Sequence, residues 1–389
     1  MTIIDGDSHI YEPRSMWKDY TPAADQDRAL SIETDALGYS WVTLAGRSLE
    51  RPAWVAGPTG GDFTAIGQFR QGHLKGLPNP TPTYDEMPEE FWSPKARVGK
   101  LDEWHIDEAV VFNQWGFQWE PDLWDDMEAS KVNHAAWNRY CADLVTDSGG
   151  RLHPAGHIRL DAGEDWLEEQ LRTLRDGGVR LALFTPMLVD GKRLSHPDVD
   201  HVWRLFVEYD VMPAWHVSNN NRRVLDDFES WADNDTRALF KLVPHLFTRV
   251  SPQIGLVDLA VNGVFEKYPD LRILVAEFGA DWFPQLCQRV DGSWGKYTEL
   301  AGEVYSDLPR LPGDYLREQV MLVCSFPSDA DASLLGTCPG QLAYGGDYPH
   351  PEGLDDPFEE FKRRSVEVDP AIGEGFYGGN LAALLAGER

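Results

Sequence analysis

The chain has 389 residues, 42% hydrophobic and 25% charged, which is the composition of a globular protein and excludes disorder as the default. Its formal net charge of −29 disfavours nucleic acid and anionic membrane surfaces as partners and leaves a small-molecule enzyme as the compatible class. The four cysteines form no C-x-x-C pair and no disulfide framework, the N-terminus lacks the pattern of a signal peptide, and no stretch is apolar enough to span a membrane; a cytoplasmic protein is expected.

The first apolar run, "TIIDGDSHI", places Asp5, Asp7 and His9 two residues apart, on one face of an extended strand. Buried ionisable groups need a metal or a hydrogen-bond network to offset their desolvation. Seven more short apolar runs follow. They are "EAVVFNQW" (108–115), "AGHIRL" (155–160), "GVRLALFTP" (178–186), "VMPAWHV" (211–217), "RILVAEFG" (272–279), "QVMLVCSF" (319–326) and "QLAYGGDY" (341–348). Several are almost unbroken, as in parallel strands buried on both faces. Amphipathic helical stretches over 125–147, 162–178, 196–210 and 252–270 lie between them. Eight strands alternating with helices predict an α/β fold, a (β/α)8 TIM barrel, over a single domain spanning 1–389. A doubly wound sheet is the rival. Residues 20–95 break the alternation and are rich in Gly, Pro and aromatics. They read as an insertion or cap after the first strand, on the catalytic face.

A barrel gathers its strand ends around one mouth. His9 with Asp7 stands after strand one, His216 ends strand five, Glu277 ends strand six and Asp347 ends strand eight. Two imidazoles and two carboxylates make a sensible shell for a divalent transition metal. Asp347 is also placed to take a proton from an activated water. Taken singly, each residue has a plainer reading as a turn, cap or hydrogen-bonded core group. Asp5 suits backbone amides. His350 lies near the mouth as a substrate contact or a loop support. His157 and Arg159 at the end of strand three, Arg289, and Trp115 beside Trp119 and Trp124 are lesser candidates for substrate binding.

The chain resembles the amidohydrolase superfamily, in the branch that includes aminocarboxymuconate-semialdehyde decarboxylase and related metal-dependent hydrolases. The resemblance is carried by "IIDGDSHIYEP" (3–13), "LDEWHIDEAVVF" (101–112), "VNGVFEKYPDLRILVAEFGADWFP" (262–284), "YGGDYPHPEG" (344–353) and "FYGGNLAALL" (376–385). It implies that His9 and His216 are metal ligands and that Asp347 touches the metal and moves protons. It also implies a homodimer, in which an arginine at the position of Arg289 reaches a neighbouring site. Two departures stand out. Asp7 occupies the place of the first histidine in an H-x-H pair, and Glu277 replaces a histidine near the substrate. The expectation is one divalent metal, Zn first with Mn or Fe open, bound by Asp7, His9, His216 and Asp347. Asp347, Glu277 and His350 are the catalytic candidates. The expected reaction is hydrolysis of a small amide, cyclic amide or lactone. Non-oxidative decarboxylation of a small aromatic or unsaturated acid is the alternative, and metal-assisted condensation or cyclisation a third; a metal-free binding protein is the rival from another class.

Overall fold

The structure is a computed structural model that describes residues 1–53, 55, 72–217, 246–301 and 307–387. Eight parallel strands form one sheet in the order β1 (Ile4–Ile10), β5 (Glu108–Asn113), β6 (Leu152–His157), β7 (Leu181–Leu183), β8 (Met212–His216), β9 (Ile273–Ala276), β10 (Val320–Cys324) and β11 (Leu342–Tyr344). β2 (Leu30–Thr34), β3 (Ser40–Leu44) and β4 (Arg47–Pro52) form a separate antiparallel sheet. It lies inside the 20–95 stretch, of which residues 54 and 56–71 fall outside the described residues.

The eight apolar runs become the eight barrel strands because neither face of them meets water. Val110, Ala155, Leu181, Ala214, Leu274, Val323 and Ala343 are buried in one inner cluster. The opposite faces pack on the helices, among them α1 (Met127–Asp147), α2 (Glu164–Asp176) and α3 (Asp200–Glu208). Sequence patterning places the third strand at 155–160, beginning after Pro154, whereas the ladder runs Leu152–His157 with Pro154 opposite Val111. Residues past His157 leave the ladder as Arg159 turns to Asp161 and Trp124. The helix expected over 252–270 is two, α4 (Val250–Val261) and α5 (Val264–Lys267), because Gly263 adopts a left-handed φ of 77° that ends the first. α1 starts where Asp126 accepts a hydrogen bond from the Ala129 amide at 3.0 Å.

The barrel closes between β1 and the segment after β11. Asp347 N donates to Asp7 O at 2.6 Å, and His9 N donates to Tyr348 O at 2.6 Å. Glycine makes this approach possible. A Cβ on Gly345 would stand 2.8 Å from Asp7 Cβ and 2.6 Å from a Val323 methyl; one on Gly6 would meet Tyr344 O at 2.9 Å. Asp5 lies beneath, accepting from Asp7 N at 3.0 Å and Gly346 N at 2.8 Å. Asn380, at the start of the last helix, donates to Leu342 O at 2.8 Å and ties that helix under β11. No helix among the described residues is long and apolar enough to cross a membrane.

Gly345→Ala is expected to lower unfolding stability by about 1–3 kcal/mol, the usual cost of overpacking a filled site. Urea denaturation at fixed pH checks it; an unchanged midpoint would mean that this seam is looser than its distances indicate.

Candidate active site

Asp7 and His9 point into the barrel mouth from β1. His216 comes from the last position of β8, Glu277 follows β9, Ser325 follows β10 and Asp347 follows β11. His216 Nε2 lies 3.3 Å from Asp7 Oδ1 and 3.2 Å from Glu277 Oε2. His9 Nε2 lies 3.6 Å from Asp7 Oδ1 and 3.4 Å from Asp347 Oδ1. His350 Nδ1 is 2.7 Å from Asp347 Oδ1, and its ring stacks on His9 at 3.8 Å. The predicted ligands fall into two groups that share His9: Asp7, His9 and His216 in one, and His9, Asp347, Glu277 and His350 in the other.

The hydrogen bonds around the imidazoles set their tautomers. His216 Nδ1 faces Val217 O at 2.9 Å, and His9 Nδ1 faces Asn113 O at 3.4 Å. A carbonyl only accepts, so each Nδ1 carries a proton, and each Nε2 is the nitrogen that faces the acids. This is the arrangement by which a histidine ligand is oriented from behind. Ser325 Oγ donates to Asp7 Oδ2 at 2.5 Å and accepts from Glu277 N at 3.0 Å, coupling two site residues. Arg97 is fully buried, donates to Ser8 Oγ and His9 O at 2.8 Å each, and clamps β1 from the outside.

Electrostatics concentrates strain here. Burial, then the neighbouring Asp347 and Asp7, pushes the Glu277 carboxyl well above the carboxylate range. Burial and then Asp7 push Asp347 up likewise. Burial drives His9 well below the ordinary imidazole value, followed by His350 and His216. Glu277 and Asp347 both hold left-handed backbone, with φ of 60° and 54°. Such conformations are costly for non-glycine residues and collect at functional sites.

A divalent ion fits these residues. Nε2 atoms and carboxylate oxygens converge from four strand ends, and Asp347 Oδ2 is buried with no hydrogen-bond partner among the described residues. A cation satisfies these acceptors at once.

The lesser candidates divide. His157 Nδ1 contacts the Asn113 side chain at 3.3 Å and so lies one residue behind His9. Arg159 is held by Asp161 at 2.7 and 2.8 Å and lies over the Trp124 ring at 4.1 Å. Trp115 is buried against Tyr11, and its amide donates to the Glu12 carboxylate at 3.1 Å. Arg289 is exposed on α6 (Phe283–Ala301) and makes no ion pair among the described residues. Ser325 escapes sequence reasoning, since a serine after a strand carries no signal of its own. Glu120 and His134 escape it too; neither stands at a strand end.

The model of the Amidohydrolase family, Amidohydro_2, matches residues 124–386. The chain belongs to this family. Among solved structures, this chain is similar to an amidohydrolase of Mycobacterium avium subsp. paratuberculosis, at 22% identity and TM-score 0.78 over 99% of this chain and 97% of that one. It is also similar to a 5-carboxyvanillate decarboxylase of Novosphingobium aromaticivorans with bound manganese, at 17% identity and TM-score 0.64 over 99% and 97% of the two chains. A dihydroxybenzoic acid decarboxylase of Polaromonas sp., also with bound manganese, matches at 13% identity and TM-score 0.59 over 99% and 97%. A search of curated proteins finds no match.

Ser325→Ala is expected to weaken divalent-metal affinity about 10–100-fold, as loss of a group that orients a ligand does. Competition with a chromogenic chelator checks it; an unchanged affinity would mean that Ser325 does not position Asp7 for the ion.

Proposed function

We propose that this amidohydrolase is a metal-dependent carboxy-lyase that removes CO₂ from a small aromatic or unsaturated carboxylic acid. The observation that carries the reading is the convergence of Asp7, His9, His216 and Asp347 with a second, protonation-prone acid, Glu277, 3.2 Å from His216. Manganese-containing decarboxylases among the structural neighbours support it over hydrolysis. Two hard carboxylates beside two imidazoles suit manganese as well as zinc.

When bound, the ion supplies Lewis-acid polarisation of the substrate's oxygens. His9 and His216 would hold it through Nε2, because their Nδ1 atoms face backbone carbonyls. Asp7 is kept in place by Ser325. Asp347 delivers a proton to the carbon as the bond to the carboxylate breaks, so that the acid becomes the shortened product and CO₂. His350, 2.7 Å from Asp347, returns a proton to it for the next turnover. Glu277, whose carboxyl burial pushes toward the protonated form, would in that form donate a hydrogen bond to an anionic substrate oxygen.

Hydrolysis of an amide or lactone is the second reading, favoured by the likeness to the mycobacterial amidohydrolase. There Asp347 takes a proton from water and passes it to the leaving group.

Incubation of manganese- or zinc-loaded protein with a panel of hydroxybenzoates, amides and lactones separates the two. Released CO₂ supports the lyase. A new carboxylate with an amine or alcohol overturns it in favour of the hydrolase. With the turned-over substrate, Asp347→Asn is expected to lower kcat about 10²–10⁴-fold, the range for a lost acid–base group. Glu277→Gln, which keeps a hydrogen-bond donor, is expected to retain the metal and lose far less; a loss as large as that of Asp347→Asn would make Glu277 the proton donor.

A further inference from the structure

A second buried cluster stands one residue away from the first and takes no part in the chemistry above. Glu120 lies at the start of the short helical turn that follows β5, His134 lies on α1 and His157 ends β6. All three are buried. His134 Nε2 is 3.4 Å and His157 Nε2 is 3.5 Å from the same oxygen, Glu120 Oε1. The two rings meet edge to face at 4.3 Å. We propose that Glu120, His134 and His157 bind a second divalent transition-metal ion, with zinc the best match to the donors.

Three observations converge on this assignment. The first is spacing. Ligands at about 2.1 Å from a tetrahedral ion stand about 3.4 Å from one another. Both imidazole–carboxylate distances have that value, and both exceed the 2.7–2.9 Å typical of a charge-assisted hydrogen bond.

The second is the tautomer of His134. Its Nδ1 faces Ser130 O at 2.7 Å, which a carbonyl permits only if Nδ1 carries the proton. Nε2 then turns a lone pair toward a carboxylate oxygen, an arrangement that repels unless a cation lies between them. His134 Nε2 is buried and makes no hydrogen bond among the described residues. Backbone anchoring of the far nitrogen is also what a histidine ligand requires.

The third is access and charge. Glu120 lines a cleft together with Trp124, Arg159, Asp161 and Phe184, so the carboxylate side of the cluster borders open space. Arg159, which lines the same cleft, is paired with Asp161 through two bonds. Two histidines and a glutamate are a known zinc donor set.

The site also reaches the first. His157 Nδ1 faces the Asn113 side-chain amide at 3.3 Å, and Asn113 Oδ1 is buried with no hydrogen-bond partner among the described residues; with that amide turned, Oδ1 accepts the His157 Nδ1 proton and leaves Nε2 for the ion, while Asn113 O receives the His9 Nδ1 proton. Occupancy would fix His157, hence Asn113, hence the orientation of His9.

The test is a metal count. Full-length protein is stripped with chelator, reloaded with zinc alone, passed through a weak chelating resin and measured by plasma mass spectrometry. Two zinc ions per chain are expected for wild type, one for His134→Gln and one for His216→Ala. One ion in wild type, retained in His134→Gln and lost in His216→Ala, would overturn the second site and leave the first standing. One ion retained in His216→Ala and lost in His134→Gln would support the second site while removing the first. No ion in wild type would overturn both. Should His134→Gln fail to fold, anomalous diffraction from zinc-loaded wild-type crystals decides. A peak among Glu120, His134 and His157 supports the site, and its absence from a crystal with zinc at Asp7 and His9 overturns it.

Discussion

Closure of the barrel at β1 is the constraint on which the site depends. Asp347 N and Gly346 N both donate to Asp7 O, so the backbone that seals the sheet also sets the distance between two acids. That distance is short because Gly345 offers no Cβ against Asp7. Asp5 occupies the space beneath and accepts from the same seam. The acids are therefore not placed by flexible loops. They are rigid extensions of paired strands, and mutual repulsion cannot move them apart. Two of them hold left-handed backbone, and burial has raised both carboxyls. A cation relieves that stress, and an acid that stays protonated in such surroundings is a proton source.

The imidazoles are handled differently from the carboxylates. Each one spends its Nδ1 proton on a backbone carbonyl, which leaves its Nε2 as the nitrogen aimed inward. The same device appears at His9, His216 and His134. Carboxylates, by contrast, are steered by single donors such as Ser325 on Asp7. The consequence is a donor set whose protonation states are decided by second partners and not by solvent pH alone. Asn113 belongs to both clusters, through its carbonyl on one side and its amide on the other.

The antiparallel sheet β2–β4 emerges directly after the strand that supplies Asp7 and His9. It is tied to the barrel's outer layer by Leu30 N donating to Asn133 Oδ1 at 2.8 Å on α1. The strands that carry the site residues belong to the other, eight-stranded sheet.

Much of this protein was legible before any coordinates. Apolar runs with intervening amphipathic stretches identify the eight strands, because burial on both faces leaves an unmistakable pattern. Strand ends then nominate Asp7, His9, His216, Glu277 and Asp347, since a barrel brings those ends to one mouth. The third strand begins at Leu152, three residues before the apolar run that marks it, and Gly263 divided a helix that hydropathy alone joins. What only the tertiary structure decided is pairing. Which nitrogen of each histidine faces inward depends on carbonyls such as Val217 O and Ser130 O, whose positions no local pattern encodes. Ser325 and the Glu120–His134–His157 cluster were invisible for the same reason: their partners lie 14 to 318 residues away, on elements that meet only after folding. Periodicity records which face of an element is buried, while chemistry depends on which atoms from separate elements come within bonding distance.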